Sequence, residues 1–296
     1  MSAPEAPREA DERERLPLGP ALMFCPGDRP DRFGKAAARA DAVLLDLEDG
    51  VGPAHKAAAR EAVGAHGLDP ARTVVRVNAA GSPQLAADLA ALEPLRPRYV
   101  MIPKAESCED VDRIAAALPG AGVLALCETA RGVLAAGEIA AHPAVVALMW
   151  GGEDLISSLS GTSSRHADGS YRDVVRHARS AVLLAARAHG RSALDAIHTD
   201  LADADGWRAE AEDAAASGFT ATACIHPAQV PVIRAAYAPT PAQAAWARDL
   251  LAAAEAAGSG AFEHDGRMVD GPILRHAHLL AERSSPAPSP PPPPDA

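Results

Sequence analysis

The chain has 296 residues, with Asp+Glu 39 against Lys+Arg 28 and a formal net charge of -11, which argues against nucleic acid as a partner because an acidic chain does not track phosphates. Hydrophobic residues at 48% and charged residues at 23% exclude a chain disordered throughout, and aromatics at 3% make base-stacking platforms a poor fit and require a core of Ala, Val, Leu and Ile. No apolar run approaches the roughly 20 residues of a membrane-spanning helix, and the charged stretch from Glu5 to Arg15 is followed by no apolar segment of secretory type, so a cytoplasmic protein without a membrane partner is expected.

Taken in chain order, residues 1–19 are rich in Pro and charge and are expected to be disordered. From there aliphatic runs alternate with Ala-rich amphipathic stretches, the pattern of βα units around a parallel sheet. The runs are Ala21–Phe24, Ala42–Leu47, Thr73–Val77, Tyr99–Ile102, Val123–Leu126, Val145–Met149, Ala193–Ile197 and Thr222–Ile225. Eight such units predict an α/β fold of the (β/α)8 TIM-barrel type over residues 20–240. A dinucleotide-binding sheet would want Gly-x-Gly-x-x-Gly after the first strand, where the chain has Cys25-Pro26-Gly27-Asp28-Arg29-Pro30. Helices near Pro241–Ala257 and Gly271–Arg283 predict a C-terminal helical extension over 241–283, and the Ser/Pro/Ala tail 284–296 is expected to be disordered. Cys25, Cys108, Cys127 and Cys224 are far apart and form no Cys-x-x-Cys pair, so they read as reduced thiols.

In a barrel the reactive groups stand at the C-terminal ends of the strands. The residues at or near those ends are Asp46, Glu48 and Asp49, then Arg76 and Asn78, Lys104 and Glu106, Glu128, Glu153 and Asp154, Asp195 and Asp200, and His226. Glu128 and Asp154 end adjacent strands beside small residues. Two carboxylates without a His or Cys cluster suit a hard cation, magnesium rather than zinc. The alternative is structural: Asp154 caps a helix and Glu128 pairs with Arg131. Arg76 interrupts the apolar run Val74-Val75-Arg76-Val77, where a guanidinium can hold a carboxylate or oxyanion, or pair with Asp46 or Glu48, or do both. Lys104, one of three lysines with Lys35 and Lys56, could form a Schiff base, but nearby carboxylates would keep it charged, and an ion pair with Glu106 is the competing reading. Arg29, Arg32 and Lys35 form a basic cluster able to meet a phosphorylated ligand or simply face solvent.

These residues lie in ordered motifs: Phe24-Cys25-Pro26-Gly27-Asp28-Arg29-Pro30, Leu45-Asp46-Leu47-Glu48-Asp49-Gly50-Val51, Arg76-Val77-Asn78, Ile102-Pro103-Lys104-Ala105-Glu106, Glu128-Thr129-Ala130-Arg131-Gly132, Gly151-Gly152-Glu153-Asp154-Leu155 and Ile225-His226-Pro227. Over about residues 20–282 the chain resembles the citrate lyase β-subunit-like proteins of the HpcH/HpaI aldolase superfamily. The resemblance implies a magnesium-dependent lyase acting on 3-hydroxy-carboxyacyl thioesters of citramalyl-, malyl- or citryl-CoA type. A thioesterase on the same esters and a non-catalytic thioester-binding subunit are the alternatives. It further implies Glu128 and Asp154 as metal ligands, with Glu128 also near substrate, Arg76 as the substrate-binding arginine, and Phe24 and Lys35 beside the CoA or acyl-carrier arm. The segment Gly266-Arg267-Met268-Val269-Asp270 resembles one whose aspartate reaches a neighbouring subunit's site, which implies Asp270 as a catalytic group and a homo-oligomer, a trimer or hexamer. Two departures stand out: Ala221-Thr222 replaces the usual Gly-Lys, and the segment Ser157–Ser164 is unusually polar.

Overall fold

The structure, a computed structural model, describes residues 16–258 and 260–284. Eight parallel strands close into a barrel in sequential order: β1 (Ala21–Pro26), β2 (Ala42–Asp46), β3 (Thr73–Arg76), β4 (Tyr99–Ile102), β5 (Gly122–Cys127), β6 (Val145–Trp150), β7 (Ser192–Asp195) and β8 (Ala221–Cys224). The helices between and after them are α1 (Pro30–Arg39), α2 (Lys56–Gly64), α3 (Leu85–Leu92), α4 (Cys108–Ala117), α5 (Ala130–Ala141), α6 (Gly152–Ser158), α7 (Asp173–Ala188), α8 (Ala204–Ser217) and α9 (Gln229–Tyr237). This is the TIM barrel that the alternation of runs predicts.

The strands read as continuous apolar runs because both faces are covered, by helices outside and by the opposite strands inside. Leu22, Leu44, Val74, Met101, Leu124 and Met149 belong to one buried cluster, so the interior is packed rather than open. Leu16 and Leu18 join that cluster, and the Leu16 amide donates to Ser192 Oγ at 3.1 Å. Order therefore begins before residue 20, earlier than the composition suggests. A barrel open at the N-terminal ends of its strands needs apolar cover, and two leucines in a Pro-rich stretch provide it. Residues 1–15 and 285–296, expected to be disordered, lie outside the described residues, whereas Ser284 completes the last helix.

Helix starts are fixed just after the strand-end polar residues. Ser107 and Asp110 form a capping box on α4, and the Thr129 side chain accepts from the Gly132 amide on α5. Such caps contribute about 1 kcal/mol each, and here they hold Glu106 and Glu128 at defined points of the chain.

The chain divides into two compact units between Arg234 and Ala235. The second unit contains α10 (Pro241–Ala257), the hairpin β9 (Phe262–His264) and β10 (Arg267–Val269), and α11 (Gly271–Ser284). Its own core is Ala247, Leu250, Val269, Ala277 and Leu280. The hairpin turns on Asp265-Gly266, both at positive φ (50 and 72), the pairing of residues that a tight two-residue turn demands. Among the described residues no helix is long and apolar enough to cross a membrane, and the four cysteines are free.

Candidate active site

The strand register builds the site. β2 and β3 pair Asp46 with Arg76, and β5 and β6 pair Cys127 with Trp150, so Glu128 and Gly151 follow side by side. A side-chain carbon at residue 151 would come within 2.7 Å of Glu128 Oε2, which is why glycine precedes α6. A pocket of about 90 Å3 at the strand ends is lined by Phe24, Arg76, Glu128, Trp150, Asp154 and Tyr171, among others.

On the β2–β3 side every charge has a partner. Arg76 holds Asp46 bidentately, Nε to Oδ1 at 2.7 Å and Nη2 to Oδ2 at 2.6 Å, and stacks 4.8 Å from the centroid of the Phe24 ring. The same Asp46 oxygens accept from the amides of Glu48 and Gly50, each at 2.8 Å. Nη1 lies 3.0 Å from Glu48 Oε2, at an angle that leaves this buried oxygen without a hydrogen bond. Burial works against the Arg76 charge, but Asp46 overrides it and raises the pKa. Arg76 is thus both a paired and a positioned guanidinium, as the sequence allows.

A second layer fixes this side. Lys56 Nζ donates to Leu47 O, Glu48 O and Asn78 Oδ1 at 2.6, 2.7 and 2.8 Å. Asn78 is held in turn by Asp88, a buried aspartate that accepts from its backbone and side-chain amides and pairs with Arg60.

The β5–β6 side is different. Glu128 is buried, and burial first, then the Asp154 charge, push its carboxyl up to about 8. Neither structural alternative for the two carboxylates is realised. Arg131 is exposed and faces Glu106 at 3.6 Å, and α6 begins at Gly152 without a side-chain cap, which places Asp154 inside its first turn. No His or Cys lines the pocket. A buried carboxyl that lacks sufficient positive charge, beside a second carboxylate and without soft ligands, fits a hard divalent cation such as magnesium.

Lys104 does not pair with Glu106. Its Nζ lies 2.5 Å from Glu48 Oε1 and 3.0 Å from Asp49 Oδ2, while Glu106 accepts from Thr129 Oγ1 at 2.7 Å. Burial would lower its pKa, but Glu48 outweighs burial and raises it, so the side chain is an ammonium and not the free amine that a Schiff base requires.

Phe24 also borders a second cleft of about 440 Å3, lined by Arg32, Lys35, Arg39, Ile225 and His226 as well. It is a common wall between a basic cleft and the acidic pocket. Asp195, a strand-end aspartate, is instead buried between Trp150 Nε1 and Arg179. Asp270 lies in the second unit, where its carbonyl accepts from the Leu274 amide at the start of α11. Sequence reasoning missed Tyr171, which packs edge-on against Trp150 with centroids 5.4 Å apart and under Arg165 at 3.8 Å. It follows no strand, so strand-end position gives no signal for it.

A closed (β/α)8 barrel with ionisable groups gathered at the C-terminal ends of its strands is the architecture of an enzyme. The chain belongs to the HpcH/HpaI aldolase/citrate lyase family, whose model matches residues 21–227. It is 55% identical to a citrate lyase subunit beta-like protein of Mycobacterium tuberculosis, over 91% of this chain and 97% of that one. It is 33% identical to a (3S)-malyl-CoA thioesterase of Cereibacter sphaeroides (90% and 92%) and 30% identical to the mitochondrial citramalyl-CoA lyase of Rattus norvegicus (88% and 84%). The crystal structure of CitE from Mycobacterium tuberculosis in complex with magnesium, acetoacetate and coenzyme A matches with a TM-score of 0.85 and 54% identity, covering 91% of this chain and 99% of that one.

Proposed function

We propose that the protein is a cytoplasmic, magnesium-dependent carbon–carbon lyase that acts on a 3-hydroxy-carboxyacyl thioester of citramalyl-, malyl- or citryl-CoA type. The products are an acetyl or acyl thioester and a 2-oxo acid. The observation that carries this reading is the excess of acid at Glu128 and Asp154, with Glu128 raised to about 8, in a pocket that shares the Phe24 wall with a basic cleft.

Glu128 and Asp154 would hold the magnesium. Bound there, the ion supplies Lewis-acid stabilisation to the substrate oxygens that become the oxo acid. Arg76, locked by Asp46, presents a fixed positive charge to the oxyanion that develops as the bond breaks, with no reorganisation at that moment. Lys35 and Arg32 meet the phosphates of the CoA or acyl-carrier arm, and Phe24 guides the thioester between cleft and pocket. Asp270, contributed by a neighbouring subunit of a homotrimer or hexamer, exchanges the proton with the acetyl carbon as general acid and base.

Thioester hydrolysis on the same scaffold is the second reading, favoured by the likeness to a malyl-CoA thioesterase. Incubation with malyl-, citramalyl- and citryl-CoA, with and without magnesium, separates the readings by product mass. A lyase releases a 2-oxo acid, a thioesterase releases free CoA and the intact hydroxy acid, and a binding subunit retains ligand and releases neither.

A further inference from the structure

The acid at the barrel mouth converges on one side chain. Lys104 Nζ lies 2.5 Å from Glu48 Oε1, 3.0 Å from Asp49 Oδ2, 3.4 Å from Asp154 Oδ1 and 4.0 Å from Glu128 Oε1. These four carboxylates follow three different strands, β2, β5 and β6. An ordinary surface lysine serves one partner. The backbone is also bent to deliver it: Lys104 has φ of 50°, in the left-handed region that a residue with a β-carbon rarely enters. In that conformation its amide donates to Glu128 Oε1 at 3.2 Å, so main chain and side chain address the same carboxylates.

Resting on the proposed Glu128–Asp154 magnesium site, we infer that Lys104 is a tethered cation that occupies the two ligand carboxylates in the metal-free protein and sets how tightly the divalent ion binds. Two adjacent carboxylates repel each other unless a positive charge lies between them, and the ammonium supplies one. An entering ion displaces it from Asp154 and Glu128, while Glu48 and Asp49 keep it nearby. Lys104 is 30% exposed and Asp49 is 68% exposed, so the ammonium can move on the solvent side of the pocket without opening the barrel. It then remains as a fixed repulsion toward the ion, and holds the affinity in a range where the ion can exchange. Lys104 is therefore a positioning residue for charge and does not touch the reacting atoms.

The test is Mn2+ binding to the full-length, substrate-free protein, read as free Mn2+ by electron paramagnetic resonance, with thermal unfolding measured in parallel. Lys104→Met and Lys104→Gly should bind Mn2+ about tenfold more tightly, the effect of removing one unit charge a few ångströms from a divalent ion in a partly hydrated site. Lys104→Arg should stay near wild type. The glycine variant accepts positive φ without strain, so it separates the charge from the backbone. Without metal, Lys104→Met should unfold at a lower temperature than wild type, and saturation with Mn2+ should narrow the gap, because the ion replaces the ammonium at Glu128 and Asp154 while the pairs with Glu48 and Asp49 stay lost. Unchanged or weaker Mn2+ binding in both neutral variants overturns the inference, since a lysine that only braces Glu48 and Asp49 gives that result. A wild-type protein that binds no Mn2+ overturns the metal site itself, and the inference with it.

Discussion

The two sides of the barrel mouth are built on opposite principles. Around β2 and β3, Asp46, Arg76, Lys56 and Asn78 have multiple partners at hydrogen-bond distance, and the cluster is held rigid before any ligand arrives. Around β5 and β6, burial first and then the Asp154 charge push the Glu128 carboxyl up to about 8, more than the nearby Lys104 and Arg76 offset. The saturated side has its charges already paired, and the unsaturated side stores a demand for a cation. A pocket made wholly of the first kind would bind nothing, and one made wholly of the second would not hold its shape.

The largest effect should come from the unsaturated side. Glu128→Ala and Asp154→Ala are expected to abolish product formation and Mn2+ binding while far-UV circular dichroism stays that of wild type, because both replace groups at a pocket and not in the core. Wild-type metal affinity in either variant would break the comparison at its root.

Next in size are the effects of substitutions at Arg76 and at Asp270. Arg76→Ala leaves Asp46 buried without its cation, and removal of one partner from such a pair costs about 3 kcal/mol, so this variant should lose thermal stability as well as turnover. Asp270→Ala should lose turnover alone. If Asp270 serves a neighbouring subunit's site, mixed oligomers of the two inactive proteins should regain part of the activity, with subunit exchange checked by mass. Turnover that stays absent in exchanged oligomers would place Asp270 in its own barrel or outside the chemistry.

A smaller effect is the pH dependence of stability. The folded-state pKa of Glu128, about 8, exceeds the ordinary carboxylate value, so the folded metal-free protein binds a proton that the unfolded chain releases. Its contribution is fully present below the ordinary carboxylate range and is lost as pH rises through about 8. The unfolding temperature of the metal-free protein should fall over that window, and Glu128→Gln or added magnesium should flatten the fall.

Much of this arrangement is legible in the sequence, for a definite reason. Barrel strands are covered on both faces, so they stand out as unbroken apolar runs, and a charged residue at the end of such a run is a candidate for the mouth, although Asp195 turns instead to Trp150 and Arg179. Arg76, Glu128 and Asp154 are found that way. What the sequence hides depends on convergence across the chain. Spacing alone pairs Lys104 with its neighbour Glu106, but a left-handed backbone turns it toward Glu48 and Asp49, more than fifty residues away. Tyr171 arrives from the polar segment between α6 and α7, and its wall position depends on Arg165, which is fixed by Glu210 on α8. The β9–β10 hairpin has three-residue strands, too short for alternation to show.

The smallest effect tests whether the two sides are separable. Lys56 donates to Leu47 O, Glu48 O and Asn78 Oδ1 but reaches neither Glu128 nor Asp154 in any contact of the described residues. Lys56→Met keeps most of the aliphatic stem and removes the ammonium, taking the charged donor from Asn78 Oδ1, whereas Leu47 O retains the Asn78 side-chain amide at 2.9 Å and Glu48 O retains the Val51 amide at 3.0 Å. Stability should fall by about 2 kcal/mol, the usual penalty for partly buried acceptors that lose a charged donor. Turnover should drop only a few-fold, because the Arg76–Asp46 pair still anchors the end of β2. Mn2+ affinity should not move, since the carboxylates that would hold the ion follow β5 and β6. If affinity falls together with stability, the saturated side is transmitting its order to Glu128 and Asp154, and the mouth must be treated as one coupled network in which Lys104, bonded to Glu48 and close to Glu128 and Asp154, is the link.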